Sequence, residues 1–414
     1  SILIFSYILI NILFYSLFII RYPNFIDADG NLIVNQLTHS YAGIINNLLE
    51  QRGYFSNFFD FDAKFYLGRL PLIPYFLYFS IIYISKNYLI LLIIKNLFFF
   101  IIILSLAKIS LKNNLQILFV TTLLFVIPYN LQISLMIVPE EGYINYLIIC
   151  LFIVFQSNVK FRIQTICLIL VALFFTKGSL CFFIYSISFY FLFVEKKKLP
   201  IVSIILCYLT WASYGYLKTN KIISPISLVS IGGITLSSAN NDKFNDIYPE
   251  YNPDTTYSYI LGKHKKNYEN LTNEFEIDNY FKNYNIDYIQ NNKIEFTKGL
   301  VKKIYVIFFN LKNDALGPKS EKVGKFRFSN FINLPILYFT IFIILKKFIS
   351  RKIEKKEIFL LIFCISYLFP FMIGFVYTRH LVPIYSICIL YLFYECFKKN
   401  IQTEQNHFDK IKQS

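Results

Sequence analysis

Apolar residues in this chain come in long uninterrupted blocks, and no other feature limits its fold as much. Runs such as "ILIFSYILINILFYSLFII" at 2–20 and "LILLIIKNLFFFIIILSLA" at 89–107 carry almost no charge. Blocks of roughly 15–24 such residues are long enough to cross a bilayer as helices. Full spans are expected near 2–20, 88–107, 115–128, 142–156, 162–176, 179–194, 200–217, 331–346, 357–376 and 381–397. The strict apolar–polar alternation of a membrane β-barrel is missing. Hydrophobic residues reach 56%, against roughly 45–50% in soluble domains. The expected fold is therefore an all-α polytopic membrane protein with about ten transmembrane helices. The block at 2–20 is long enough to remain as an uncleaved first helix.

The net charge of +16 would suit a nucleic-acid binder, but its placement argues for a membrane role. Lys and Arg collect in short connections such as "AKISLKNN", "EKKKLP" and "KKFISRKIEKKE". The alternate connections, among them "FTKGS" and "YTRHLVP", are far less basic. By the positive-inside rule the first set faces the cytoplasm. Both ends of the chain are then cytoplasmic in a cytoplasmic (inner) membrane, and two long polar segments lie outside. No nucleic-acid partner is expected. All seven cysteines lie in or beside apolar blocks without a CxxC, so no disulfide framework or metal site is expected. No cofactor is assigned.

One stretch disturbs this alternation. "RLPLIPYFLYFSIIYIS" (69–85) is short and opens with Pro71 and Pro74. Counting it as a span would put the lysine-rich loops outside, so it is expected to be a juxtamembrane or re-entrant helix returning to the same face. Three divisions follow. Residues 1–217 are expected to form a transmembrane module with a first outer loop at 21–86. Residues 218–330 form a small extracytoplasmic domain, and 331–414 hold the last helices and a tail.

The first outer loop carries Asp27, Asp29, Asp60, Asp62, Lys64 and Arg69 around "SYAGIINNLLEQRGYF" (40–55), whose apolar spacing suits an interfacial helix. In order and topology these features resemble the polytopic glycosyltransferases that use polyprenyl-phosphate sugars, the superfamily of protein O-mannosyltransferases and lipid A aminoarabinose transferases. The matching elements are an aspartate after the first span, a "Y…A…L…G" helix from Tyr41 to Gly53, and Arg69 before a Pro-containing apolar stretch. "PEEGYINYLIICLF", "FFTKGSLCFFIYS" and "YTRHLVPIYS" resemble the openings of later spans in that superfamily.

The resemblance implies transfer of a sugar from a lipid-linked donor to a glycan, lipid or protein acceptor at the outer face. A carboxylate within reach of the acceptor hydroxyl would act as general base, and single displacement would invert the anomeric carbon. The leaving phosphate calls for a cation at the membrane boundary, where the planar fork of Arg fits its oxygens. Asp29 and Asp27 are the expected base, with Asp60 or Asp62 as substitutes. Arg69, Lys64, Asp62, Glu140, Glu141, Lys95, Lys177, Arg379 and His380 are the expected substrate contacts.

Plainer readings exist for each. "DADG" is good turn chemistry, Arg69 suits an interfacial anchor, and Glu140 and Glu141 suit a helix start. Lys95 lies inside an apolar block, where a charge is expensive, and reads equally as an anchor snorkelling to the boundary or as a lipid-phosphate contact. A transporter or flippase for lipid-linked sugars, or a polymerase of lipid-linked saccharides, is the competing class.

Overall fold

The computed structural model describes residues 26–37, 39–57, 61, 63–110, 137–138, 140–157, 161–249, 254–309 and 330–396. The expected spans at 2–20 and 115–128, together with Asp60 and Asp62, lie outside the described residues. Within them the chain is predominantly helical, with one short antiparallel strand pair, β1 (Ser56–Asn57) and β2 (Lys64–Phe65).

Four helices are long and apolar enough to cross a membrane. They are α3 (Tyr88–Ser110), α7 (Leu199–Thr219), α13 (Asn330–Ile349) and α14 (Lys355–Ile373). Shorter apolar helices pack among them: α4 (Glu141–Gln156), α5 (Arg162–Phe174), α6 (Cys181–Phe193) and a last helix, α15, at 382–396. α4 is buried on every side, because α3, α5 and α14 all pack on it. The long helices instead leave rows of Phe, Ile and Leu exposed, as helices do where they face lipid.

The helix ends collect at two poles. At one pole Arg162, at the start of α5, makes a two-pronged ion pair with Glu195 after α6, at 2.8 and 2.9 Å. Lys355, at the start of α14, reaches the same carboxylate at 3.4 Å. The opposite pole carries Glu140, Lys177 and Arg379.

Helix α1 (His39–Leu49) is shorter than the expected 40–55. Gln51 and Gly53 have positive φ values of 59° and 105°, which end the helix in a turn. Its buried face, Tyr41, Ile44, Ile45 and Leu48, packs on α2 (Leu72–Tyr83). Both ends of α2 are tied to the Glu140 pole. The Leu72 amide donates to Phe175 O at 3.0 Å, and at the far end Leu32 N donates to Lys86 O and Tyr88 N to Gly30 O. α2 therefore lies along one end of the bundle and does not cross it. Tyr75, Phe79, Ile82 and Tyr83 are its exposed apolar stripe.

The second polar segment folds into helices α8 (Gly232–Ala239), α9 (Phe244–Ile247), α10 (Asp254–Tyr268), α11 (Glu274–Asn291) and α12 (Lys293–Phe309). α8 and α11 are the most closely packed pair. Gly233 makes that possible, since a Cβ there would sit 2.1 Å from Asp278 O. Phe61, Ala63 and Phe65 of the first polar segment join Ile234, Ile260, Ile277 and Phe281 in this layer's own core. The two polar segments thus form one layer, a sharing that the division at residue 217 did not anticipate.

Candidate functional site

Glu140 and Glu141 open α4, where a helix N-terminus favours negative charge. Tyr41 Oη of α1 donates to Glu140 Oε1 at 2.7 Å, and Arg69 Nη1 donates to the same oxygen at 3.0 Å. The Arg69 guanidinium also lies 5.2 Å from the centre of the Tyr41 ring. Lys177, in the turn between α5 and α6, donates to Glu141 Oε1 at 2.5 Å and stands 4.0 Å from Glu140 Oε2. Arg379 Nε is 3.6 Å from Glu141 Oε2, and His380 Nε2 is 3.2 Å from Glu141 Oε1. Six of the expected residues, Arg69, Glu140, Glu141, Lys177, Arg379 and His380, therefore form one cluster at one pole.

The state of His380 follows from its partners. The Tyr377 amide donates to Nδ1 at 3.3 Å, so Nδ1 is an acceptor. Nε2 then carries the proton and donates to Glu141. The ring stacks on Phe371 at 3.8 Å, and the imidazole is neutral. Among the described residues the cluster sets three cations against two carboxylates, an excess of one positive charge. The two carboxylates differ in access. Glu141 is fully buried among Lys177, Arg379 and His380, whereas Glu140 borders Arg69, whose side chain is 27% exposed. A phosphate approaching from that opening would meet Arg69 first.

Four other expected residues lie elsewhere. Asp27, expected as base, is consumed by a turn. Its carboxylate accepts from the amides of Asp29 at 3.0 Å and Asn31 at 2.8 Å, and from the Asn31 side chain at 3.2 Å. The Asn31 amide bond leads in holding its pKa below the usual carboxylate value. Asp29 is exposed in the same turn, which is tied to the residues between α2 and α3. Among the described residues neither carboxylate touches the cluster, so both fit the turn reading. Lys64, exposed on β2, has its ammonium 5.0 Å from the Phe55 ring centre. Lys95 does not snorkel. It is fully buried, with Nζ 5.6 Å from the ring of Tyr143, two residues beyond Glu141. Asp62 lies outside the described residues.

Sequence reasoning missed Tyr41 as a hydrogen-bond donor, although its helix had been singled out. It also missed two buried ionisable groups in the layer formed by the two polar segments. Glu274, at the start of α11, accepts from the amides of Tyr66 at 3.3 Å and Leu67 at 3.2 Å and from Ser230 Oγ. Burial pushes its pKa up to about 7. Lys303 of α12 is buried against neutral oxygens. Its Nζ is 3.3 Å from Ile373 O, 3.4 Å from Asn240 Oδ1 and 3.5 Å from Ala239 O, and burial lowers its pKa to about 7. Glu274 grips the strand leading into Arg69. Lys303 and Tyr248, whose hydroxyl donates to Val376 O at 2.9 Å, grip the segment leading into Arg379. The layer of polar segments thus holds both arginine-bearing segments.

No protein-family model, curated protein or solved structure gives a significant match to this chain.

Proposed function

We propose that the chain is an integral membrane glycosyltransferase that moves a sugar from a polyprenyl-phosphate carrier to an acceptor, with inversion, at the outer face of a cytoplasmic membrane. In this reading about ten helices span the bilayer, α2 lies at the outer boundary, and both polar segments are extracytoplasmic. The observation that carries it is the convergence of Arg69, Lys177 and Arg379 on Glu140 and Glu141 at a partly open pole.

The chemistry needs two things of that pole. A phosphate leaving group gathers negative charge, and the surplus cation offsets it; Arg69, at the opening, is the group placed to bind it in a two-pronged way. An acceptor hydroxyl must lose a proton as it attacks. Glu140 borders the opening and takes that role in place of Asp29 and Asp27, which are engaged in or exposed on a turn. Glu141 holds Lys177, Arg379 and His380 in place.

A lipid-borne donor also needs an apolar surface beside the phosphate site. Tyr54 Oη donates to Arg69 O at 2.9 Å. From Tyr54 a stacked series runs along α2 through Tyr75, Phe79 and Tyr83, at 5.5, 5.9 and 6.0 Å between ring centres. That ladder offers an isoprenoid chain contact from the bilayer up to the arginine.

The test is sugar transfer from a radiolabelled polyprenyl-phosphate sugar in reconstituted vesicles. Glu140→Gln should lower transfer by about 10²–10⁴-fold, the usual contribution of a general base, while Asp29→Asn and Asp27→Asn stay close to wild type. Loss of transfer in an aspartate variant with Glu140→Gln active would return the base to the turn. Movement of the labelled lipid across the bilayer with no transfer would establish a flippase instead.

A further inference from the structure

The outer layer contains a cavity of about 350 Å3 beside the strand that leads to Arg69. Its walls are Lys64 and Tyr66 from that strand, Lys218 and Thr219 from the end of α7, and Thr272, Asn273 and Glu274 at the start of α11. The volume lies within the range of small-molecule sites. The lining offers hydroxyls, an amide and ammonium groups beside one aromatic ring, which suits a sugar, with hydroxyl groups on its edges and C–H groups on its faces.

The charges are unbalanced. Among the described residues neither Lys64 nor Lys218 has a carboxylate within ion-pair distance. Glu274 does not serve them, because both its oxygens are committed to the Tyr66 and Leu67 amides and to Ser230. The cavity is also joined mechanically to the cluster. Leu67 packs so closely on Gly215 of α7 that a Cβ there would lie 2.9 Å from its side chain. Arg69 follows Tyr66 by three positions, about 10 Å of extended chain at most. On the other side of Ser230 and the first turn of α11 lies a second cavity of about 530 Å3, bordered by Lys221, Asn279 and Lys282, which leaves room for more than one sugar ring.

We propose that the cavity between Lys64 and Lys218 is the acceptor subsite and takes a saccharide carrying a negative charge, a uronate or a phosphate. The proposal rests on the transferase reading above. It assigns the acceptor to the outer layer and the donor to the cluster, with the 64–69 strand between them.

The chain's single tryptophan, Trp211, reports on this region. It stacks on Tyr214 at 5.3 Å, one turn of α7 before Lys218. The full chain in nanodiscs of neutral phosphatidylcholine would be titrated with trigalacturonate and with maltotriose while Trp211 emission is followed. Trigalacturonate should bind at least about tenfold more tightly. The Lys64→Ala/Lys218→Ala variant, unchanged in melting temperature, should lose that preference. Equal affinity for the two sugars, or a double variant that still prefers trigalacturonate, overturns the proposal. So does abolition of the wild-type response by phosphatidylglycerol in the disc, which would assign the cavity to a lipid headgroup. Sugar transfer by wild type is scored separately. Transfer without selective binding sinks the acceptor subsite alone. The complete absence of transfer sinks the transferase reading, and the acceptor role with it.

Discussion

The two poles of the helix bundle each carry a buried charge network, and the two are built differently. At the Arg162 pole, Glu354, Glu357 and Glu395 bring carboxylate oxygens within 4.8 Å of one another. Lys347 bridges Glu357 and Glu395 at 2.6 Å each, and Lys356 bonds both Glu354 and Glu395. Glu357 also accepts from Tyr391 Oη at 3.0 Å and from the Glu354 amide at 2.8 Å, closing a capping box on α14. Every member comes from α13, α14 or α15 or the turn between them, and the surplus negative charge sits at a helix N-terminus that favours it. That network staples three neighbouring helices.

The Glu140 pole draws on five separate stretches: α1, the 64–71 strand and turn, α4, the turn after α5 and the turn after α14. Among the described residues its surplus is positive, and Arg69 is its most exposed cation, with 27% of its side chain accessible. A network that exists for stability has no need to gather such distant segments, because buried ion pairs return little net stability for their desolvation. On the transferase reading the contrast separates a staple from a site, and it fixes the order of expected effects.

The largest effect should be on chemistry at the Glu140 pole. Arg69→Ala should lower sugar transfer per folded molecule by about 10²–10³-fold, the usual cost of losing one donor to a developing anion. Glu357→Gln at the other pole should do the reverse. It removes the carboxylate shared by Lys347, Tyr391 and the cap, and should cost about 3–5 kcal/mol, as breaking a buried pair does. Thermal unfolding in detergent measures that loss, and transfer per folded molecule should match wild type. If Glu357→Gln abolished transfer in folded protein, the distinction between the poles would collapse.

Much of this was legible in the sequence. Helices α3, α4, α5, α6, α7, α13, α14 and α15 begin and end within about three residues of their expected limits, because an apolar block and its charged flanks fix both the length and the ends of a span. The charged members of the Glu140 cluster were legible by kind, since each is a charge at the edge of an apolar block. Their pairing was not, because Tyr41 and Glu140 are 99 positions apart and Arg69 and Glu140 are 71 apart. Asp27 misled because its partners are its own neighbours, two and four residues on. Glu274 and Lys303 gave no signal at all. They sit in a polar segment, where burial is decided by tertiary packing and the local pattern of residues does not reveal it.

Those two residues sharpen the comparison by stability instead of activity. Lys303 has its pKa lowered from 10.5 to about 7, so folding disfavours its proton. The group is neutral in the folded chain above about pH 7, and its destabilising effect grows as pH falls from 10.5 towards 7. Lys303→Met keeps the length of the side chain without the charge. It should raise stability by on the order of 3 kcal/mol at pH 6, and the gain should vanish near pH 10. A gain independent of pH would mean that the ammonium is not what strains this junction.

The smallest expected effect belongs to Glu274, and its sign is opposite. Its pKa is raised from 4.5 to about 7, so the folded state holds the proton more tightly than the unfolded state. The stability this gives is complete below about pH 4.5 and is lost as pH rises through 7. Gln imitates the protonated carboxyl, and its oxygen accepts from the Tyr66 or Leu67 amide. Glu274→Gln should therefore match wild type near pH 5 and exceed it by about 1–2 kcal/mol at pH 8, allowing for incomplete burial. Wild-type unfolding should show the corresponding decline between pH 5 and 8, and the variant should not. Because this carboxyl grips the strand leading to Arg69, the same pH range should also loosen the Arg69 segment in wild type. Amide exchange at Tyr66 and Leu67 should quicken from pH 6 to 8 beyond its intrinsic pH dependence, and Glu274→Gln should remove the excess. A variant that exchanged faster than wild type at every pH would show that the carboxylate's charge, and not its shape, holds the strand.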